Sequence, residues 1–96
     1  MKYSLEVKDS AKKGATEAFL YYKEQQRGLG DRFLDKLELL LNEVPKHQKL
    51  YSEKYKHFRQ ALVKPFPYLT IFEIIDTTIV VHKVIYARRN PNKIYK

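Results

Sequence analysis

The side chains best suited to chemistry in this sequence are a few cations and a phenol in its second half: Arg59, Lys64, Arg88, Arg89 and Tyr95, with His57 nearby. RNA cleavage by a 2′-hydroxyl needs a base, an acid and cations that neutralise charge developing on the phosphorus, and this set could provide them. The same side chains could instead bind a polyanion or an acidic protein. For each arginine, an ion pair with a helix carboxylate is a further alternative. The residue types alone leave these interpretations open.

Other kinds of active site find little support in the sequence. The three histidines (His47, His57 and His82) share no ligand spacing with one another or with a carboxylate cluster, and the chain has no cysteine. We therefore expect no metal site and no cofactor. No glycine-rich phosphate loop is present, and no serine has the flanking residues of a nucleophile elbow. Whether the chain is an enzyme stays open, with binding favoured.

The net charge of +8 is concentrated in two stretches of the chain. Residues 46–64 contain six lysines and arginines against Glu53 alone, and residues 82–96 contain five and no acid. Such charge steers polyanions and acidic proteins, although a lysine-rich surface that only aids solubility is an alternative. The start of the sequence lacks a signal-peptide pattern, which predicts a soluble cytoplasmic protein. We predict a surface that binds a target protein or nucleic acid, made of Arg59, Lys64, Arg88, Arg89 and Lys93.

A β-sheet has to position these residues. Residues 58–89 read as three consecutive antiparallel strands, with a turn at residues 76–78 between the second and the third. The third strand is apolar on both faces, which predicts a central position in the sheet. Its alternation is expected to place Ile79, Val81 and Ile85 on one face and Val80, Val84 and Tyr86 on the other. Because antiparallel strands return the chain, we expect Arg59 and the Arg88–Arg89 pair to meet at one edge.

The first part of the chain predicts a strand and a helix. Residues 3–8 alternate apolar and polar side chains, which is typical of a strand with one wet face, and we expect it to join the later sheet. Asp9 or Ser10 is expected to cap a helix that runs to about Gln26. Gly28 then favours a helix end in the left-handed conformation.

A second helix is predicted from Asp31 until Pro45 stops it. Its leucine-rich stripe is expected to pack against the sheet, because its other face is mixed rather than uniformly basic as in a membrane-surface helix. Residues 46–56 read as an irregular connection with a short strand or turn. The predicted fold is α+β in the order β-α-α-β-β-β, with an αα-hairpin on one face of a mostly antiparallel sheet, in one domain over residues 1–96.

Three segments of the sequence stand in a characteristic order: GLGDRF, then FRQALVKPFPYLTIFEI, then ARRNP. Together they resemble the RelE/ParE superfamily of toxins from type II toxin-antitoxin modules, over nearly the whole chain. The resemblance implies a small cytoplasmic bacterial toxin associated with growth inhibition and plasmid stabilisation. It also implies a cognate antitoxin whose extended or helical tail wraps over the toxin.

The resemblance covers two activities. RelE-like members cleave ribosome-bound mRNA with two lysines on the strand after the helices and an arginine early in the next strand. They also use an arginine at the end of the last strand and a tyrosine beyond it. By position, the lysine sites fall at Gln60 and Leu62 and the first arginine falls at Leu69, while the other two are matched by Arg88 or Arg89 and by Tyr95.

The turn at residues 66–68 and the end at residues 88–91 look more like ParE, whose members poison DNA gyrase and have no established nuclease site. The leading hypothesis is therefore a toxin that binds an essential target, with DNA gyrase as the candidate, and is neutralised by an antitoxin. The alternatives are a ribosome-dependent mRNA endoribonuclease of the RelE type and an inactive binding module.

Overall fold

The computed structural model of the protein describes residues 3–47, 51 and 53–88. Its elements follow the chain as β1 (Ser4–Val7), α1 (Asp9–Gln25), α2 (Leu29–Glu43), β2 (Glu53–Tyr55), β3 (Phe58–Leu62), β4 (Tyr68–Ile75) and β5 (Thr78–Tyr86). A 3-10 turn, Val44–Lys46, continues α2 and contains the predicted stop at Pro45. The α+β class and the predicted order of elements are confirmed, with β2 as the short strand in the connection.

The five strands form one sheet in the order β1-β5-β4-β3-β2. β1 runs parallel to β5, with Ser4 opposite Thr78 and Val7 opposite Val81. The other neighbouring strands are antiparallel. The mostly antiparallel sheet is confirmed, and so is the interior position of β5, whose nearly continuous apolar sequence suits a strand paired on both sides.

The two helices form the predicted αα-hairpin. Gly28 has a φ of 80° between them, a left-handed conformation that glycine adopts without steric cost, and α2 begins at the next residue. Both helices pack on one face of the sheet, where a core cluster includes Ala18, Phe33, Leu37 and Phe72. The leucine-rich stripe thus packs as predicted. Within the described residues, neither helix combines the length and the apolar character that crossing a membrane requires.

The start of α1 differs from the prediction. The N-cap residue is Lys8, which is extended and makes no side-chain capping bond. The backbone of Lys8 is still held to the sheet, since its amide donates to the carbonyl oxygen of Val81 at 2.9 Å. The strand therefore leads directly into the helix, and Asp9 already lies inside it. The Ser10 hydroxyl donates instead to the carbonyl oxygen of His82, at 2.6 Å.

α1 comes close to β5 at Gly14. A Cβ atom at this position would overlap the carbonyl oxygen of Val84. The missing side chain therefore allows the backbone of the helix to approach the backbone of the strand directly. This contact fixes α1 against the second half of β5, beyond the part that β1 covers.

A β-bulge interrupts the alternation of β5. The register shifts between the pairs Ile71–Lys83 and Phe72–Val81, which leaves His82 as an extra residue. Beyond the bulge the two faces exchange, so Val84 joins Val81 in the core under the helices, and Ile85 packs with Ile71 on the other face. The predicted strict alternation along β5 is therefore wrong after His82.

Candidate functional site

The sheet face opposite the helices carries an apolar cluster of its own. Ile71 and Ile85 are buried there, and Phe58 and Leu69 pack against them. We refer to the face that carries these four residues as the open face. Its apolar character favours contacts with protein side chains over contacts with phosphate groups.

Glu73 of β4 and His82 of β5 form a hydrogen-bonded pair on the open face. His82 Nε2 lies 2.8 Å from Glu73 Oε1, and the side chains are 26% and 22% exposed. The ring of Phe58 meets the imidazole edge to face, with centroids 5.0 Å apart. The pair was not among the predicted site residues, although two polar side chains in two apolar strands could have indicated it. The bond satisfies both groups at a mostly covered position.

Two of the predicted cations, Lys64 and Arg88, lie at the same end of the sheet. Both are exposed. The turn after β3 is closed by a bond from the Val63 amide to the Tyr68 carbonyl oxygen, and the Ala87 amide reaches the Pro67 carbonyl oxygen. These bonds hold the residues that follow β3 and β5 beside the start of β4. The structure thus brings together one cation from each basic stretch of the sequence.

Arg59 lies elsewhere. Its Nη1 donates to the carbonyl oxygen of Tyr51 at 2.9 Å, and its side chain is partly buried. β3 and β5 are both antiparallel to β4, so they run in the same direction, and the start of β3 is far from the end of β5. The expectation that Arg59 and Arg88 meet at one edge is therefore wrong. Arg59 ties the segment before β2 to β3.

A groove of about 570 Å³ runs from α2 to β3 and the start of β4. Its lining combines apolar and charged side chains: Lys36, Leu39, Leu40, Glu43, Tyr51, Gln60, Ala61, Leu62, Lys64 and Leu69. Gln60, Leu62 and Leu69 are the three positions that a RelE-like nuclease would fill with cations. Leu62 and Leu69 are also direct partners across β3 and β4. The strands contribute no ionisable side chain to this groove.

A second concave region is surrounded mainly by tyrosines from α1, β4 and β5. Tyr21, Tyr22, Pro67, Tyr68 and Tyr86 line a pocket of about 370 Å³. Burial raises the pKa of the Tyr22 phenol above its ordinary value of 10.0, and the neighbouring phenols of Tyr68 and Tyr21 act in the same direction. Tyr22 therefore stays protonated at neutral pH and serves as a packing residue with a hydroxyl.

Three of the predicted site residues, Arg89, Lys93 and Tyr95, lie outside the described residues. Their roles remain predictions. Among residues 3–47, 51 and 53–88, no group of three or more histidine, aspartate or glutamate side chains is arranged to hold a metal ion.

The chain matches the family described as "ParE toxin of type II toxin-antitoxin system, parDE" over residues 5–91. It is 24% identical to Toxin ParE2 of Mycobacterium tuberculosis over 91 residues, which cover 94% of this chain and 87% of the relative.

Solved structures share the fold. A chain of the chromosomal ParDE TA system from P. aeruginosa matches with a TM-score of 0.74 and 10% identity, covering 90% of this chain and 97% of that one. A chain of the heterotetrameric YoeB-YefM toxin-antitoxin complex from Staphylococcus aureus matches with a TM-score of 0.61 and 14% identity, covering 90% and 98%. At these identities the likeness shows the fold alone.

Proposed function

Because the chain belongs to the ParE toxin family of type II toxin-antitoxin systems, we propose that it is a cytoplasmic toxin that binds an essential target and does not cleave RNA. DNA gyrase is the candidate target, and a cognate antitoxin neutralises the toxin. One observation carries the choice of binding over cleavage. Gln60, Leu62 and Leu69 line one groove, at the positions where cleavage would need positive charge.

The chemistry of RNA cleavage supports this choice. The transition state places negative charge on the phosphoryl oxygens, and cations aimed at them lower the barrier. An amide and two leucines supply no such charge. The two lysines of the groove, Lys36 and Lys64, come from α2 and from the turn after β3. They border the apolar side chains and favour an acidic partner at the rim.

The target would meet the end of the sheet that carries Lys64 and Arg88. Both side chains are exposed, so they keep their hydration and act over a distance by steering an acidic surface. Arg89 and Lys93 would extend this surface. The chain's net charge of +8 also favours a negatively charged partner.

The experiment is expression of the chain alone in a bacterial host, followed by assays on the purified protein. We expect growth arrest, inhibition of gyrase supercoiling in vitro, and intact mRNA in a ribosome-dependent cleavage assay. Coexpression of the protein encoded by the adjacent gene should restore growth. Unchanged growth in a host whose gyrase is the native one would contradict the proposal.

A RelE-type endoribonuclease is the second candidate, and the exposed Arg88 at the end of β5 favours it. Arg88 is one of the two residues, with Arg89, that match the last arginine of the cleaving members. If messages were cut in the ribosome assay, Arg88→Ala, Arg89→Ala and Tyr95→Phe would identify the groups required. Full cleavage by all three variants would exclude the roles assigned to them.

A further inference from the structure

Two adjoining pockets lie between α1 and the end of the sheet where β4 begins and β5 ends. The first is the pocket of about 370 Å³ lined by four tyrosines, which we call the tyrosine pocket. The second has a volume of about 400 Å³, and we call it the lysine pocket because its lining includes Lys13 and Lys83. Tyr68 and Tyr86 line both pockets, so one ligand can occupy the two together.

The tyrosine pocket presents exposed aromatic rings beside inner rings that the core holds in place. Tyr21 and Tyr86 are 55% and 40% exposed, whereas Tyr22 and Tyr68 are half-buried. The inner rings meet edge to face with centroids 6.0 Å apart, and the ring of Tyr22 also packs on Phe66 at 4.8 Å. Because the core already orders these inner rings, a planar ligand would not have to order them on binding. Stacking on aromatic rings of this kind is how proteins bind nucleobases of any sequence.

The lysine pocket places positive charge beside the tyrosine rings. Lys13 comes from α1 and Lys83 from β5, and Glu17 is an acid of the same lining. Each lysine directly precedes one member of the close contact between Gly14 and the Val84 carbonyl oxygen, so this contact brings the two lysines together. Lysine is a point charge that binds phosphate groups. The two lysines outweigh Glu17, and the pocket therefore favours a phosphate.

Other ligands use this pair of pockets less completely. An aromatic site for a quaternary ammonium or an arginine works by attracting a cation. Here two lysines border the rings and the net charge of the chain is +8, which disfavours a cation. A proline-rich peptide would stack on the rings but would make no use of the lysines. A nucleotide uses both pockets, because it joins a planar base to a phosphate.

We propose that the tyrosine and lysine pockets together bind a nucleotide. Its base lies against Tyr21 and Tyr86, and its phosphate lies against Lys13 and Lys83. A free nucleoside monophosphate and one unit of a single-stranded nucleic acid share this chemistry, since both offer an unpaired base and a phosphate. Neither pocket shares a lining residue with the groove that contains Gln60, Leu62 and Leu69. The nucleotide site is therefore a second site, and it goes beyond the proposed function.

The test is titration calorimetry of the purified full-length chain with adenosine 5′-monophosphate (AMP) at low salt. Adenosine and inorganic phosphate are titrated separately as the two halves of the ligand, and a short single-stranded oligothymidylate represents a nucleic acid. We expect AMP to bind about tenfold or more tightly than either half, because only AMP reaches both pockets. Binding of AMP should weaken as the salt concentration rises.

Variants of the two pockets separate the base from the phosphate. Tyr86→Leu removes a stacking ring and should weaken AMP binding about tenfold, whereas Tyr86→Phe keeps the ring and should bind as the parent does. Lys13→Ala should weaken the binding of AMP and leave that of adenosine unchanged. Lys12→Ala is the matched control, because Lys12 is an exposed lysine of the same helix outside both pockets. Glu17→Gln should tighten AMP binding, because it removes a negative charge from the side of the phosphate.

Circular dichroism establishes that each variant is folded before its binding is compared. A parent chain that binds neither AMP nor the oligonucleotide overturns the proposal. Equal weakening by Lys13→Ala and Lys12→Ala also overturns it, since that result reflects net charge alone. Binding of AMP, or of the oligonucleotide alone, supports the site where Tyr86→Leu weakens it, and the tighter of the two identifies the source of the nucleotide. These assays contain neither gyrase nor an antitoxin, so their outcome is independent of the proposed function.

Discussion

The imidazole of His82 hydrogen-bonds the carboxylate of Glu73 across β5 and β4, at 2.8 Å, on the face of the sheet that the helices do not cover. A second pair of the same kind joins His57 and Glu53 at 3.2 Å, with the histidine side chain 87% exposed. These two pairs are a mostly covered and a solvated version of the same interaction. Their comparison isolates the effect of burial.

A double-mutant cycle with His82→Ala and Glu73→Ala should give a coupling of about 0.5 to 1.5 kcal/mol in the free energy of unfolding, because water competes poorly for this bond. The measurement is urea denaturation of the four proteins at neutral pH. The cycle with His57→Ala and Glu53→Ala is the control, and its coupling should be close to zero. Equal couplings in the two cycles would show that burial at His82 adds nothing.

Gly14→Ala should destabilise the protein by about 1 to 3 kcal/mol, as overpacked sites do, because the added Cβ meets the Val84 carbonyl oxygen. In an unconstrained helix the same substitution would stabilise by about 0.5 to 1 kcal/mol. The sign of the change in urea denaturation therefore tests the contact between α1 and β5. Lys12→Ala, at an exposed position of the same helix, is the control and should leave stability nearly unchanged.

Thr70→Val should stabilise the protein by about 1 kcal/mol. Thr70 is fully buried, opposite Ala61 and Val84, and its Oγ1 has no hydrogen-bond partner among the described residues. Valine keeps the shape and removes the cost of a buried, unsatisfied hydroxyl. Thermal and urea denaturation measure the change, with Thr70→Ser as the control that keeps the hydroxyl and loses the methyl group. A less stable Thr70→Val protein would mean that the hydroxyl is bonded in solution.

Tyr22→Phe should make the stability of the protein less sensitive to alkaline pH. The pKa of Tyr22 is raised in the folded state, so below about pH 10 both states are protonated. As pH rises further the unfolded state ionises first, and stability falls until the folded phenol ionises too. Melting temperatures from pH 8 to pH 11 measure this slope. Tyr21→Phe removes one of the neighbouring phenols that raise the pKa of Tyr22, so it should reduce the slope less than Tyr22→Phe does.

Lys64→Glu and Arg88→Glu should each reduce growth arrest, because they lower the association rate with an acidic target surface. With the purified proteins, this loss should be largest at low salt. Lys12→Glu makes the same change of charge on α1, away from this end of the sheet, and serves as the control. Gyrase inhibition by the purified proteins, measured against salt concentration, separates an effect on binding from an effect on expression. Arrest that is weakened equally by all three variants would indicate a response to net charge alone.

The elements of the fold could be predicted because each has a local cause. The alternation of residues 3–8, the glycine at position 28 and the apolar stripe of α2 act over a few residues. The bulge at His82 has no such cause, because β5 is apolar on both faces and its sequence does not mark an extra residue. Its position depends on pairing with β4.

The site could be predicted less well, for two different reasons. The separation of Arg59 from Arg88 follows from the strand order, since alternate strands of a meander run in the same direction, and strand direction had to be considered together with strand order. The groove at Leu39 and Leu62 depends on where α2 lies against β3. The position of α2 against β3 is set by tertiary packing, and no local sequence pattern indicates it.

The pairing of β1 with β5 has a consequence for folding during synthesis. Ser10 and His82, which share a hydrogen bond where α1 leaves the sheet, are 72 residues apart. A ribosome that has already released β1 and both helices has not yet made the strand on which they close, and long-range pairing of this kind is slow. The sheet cannot close around β5 before residues 78–86 have been made, so β1 and the helical hairpin stay without their strand partner until then.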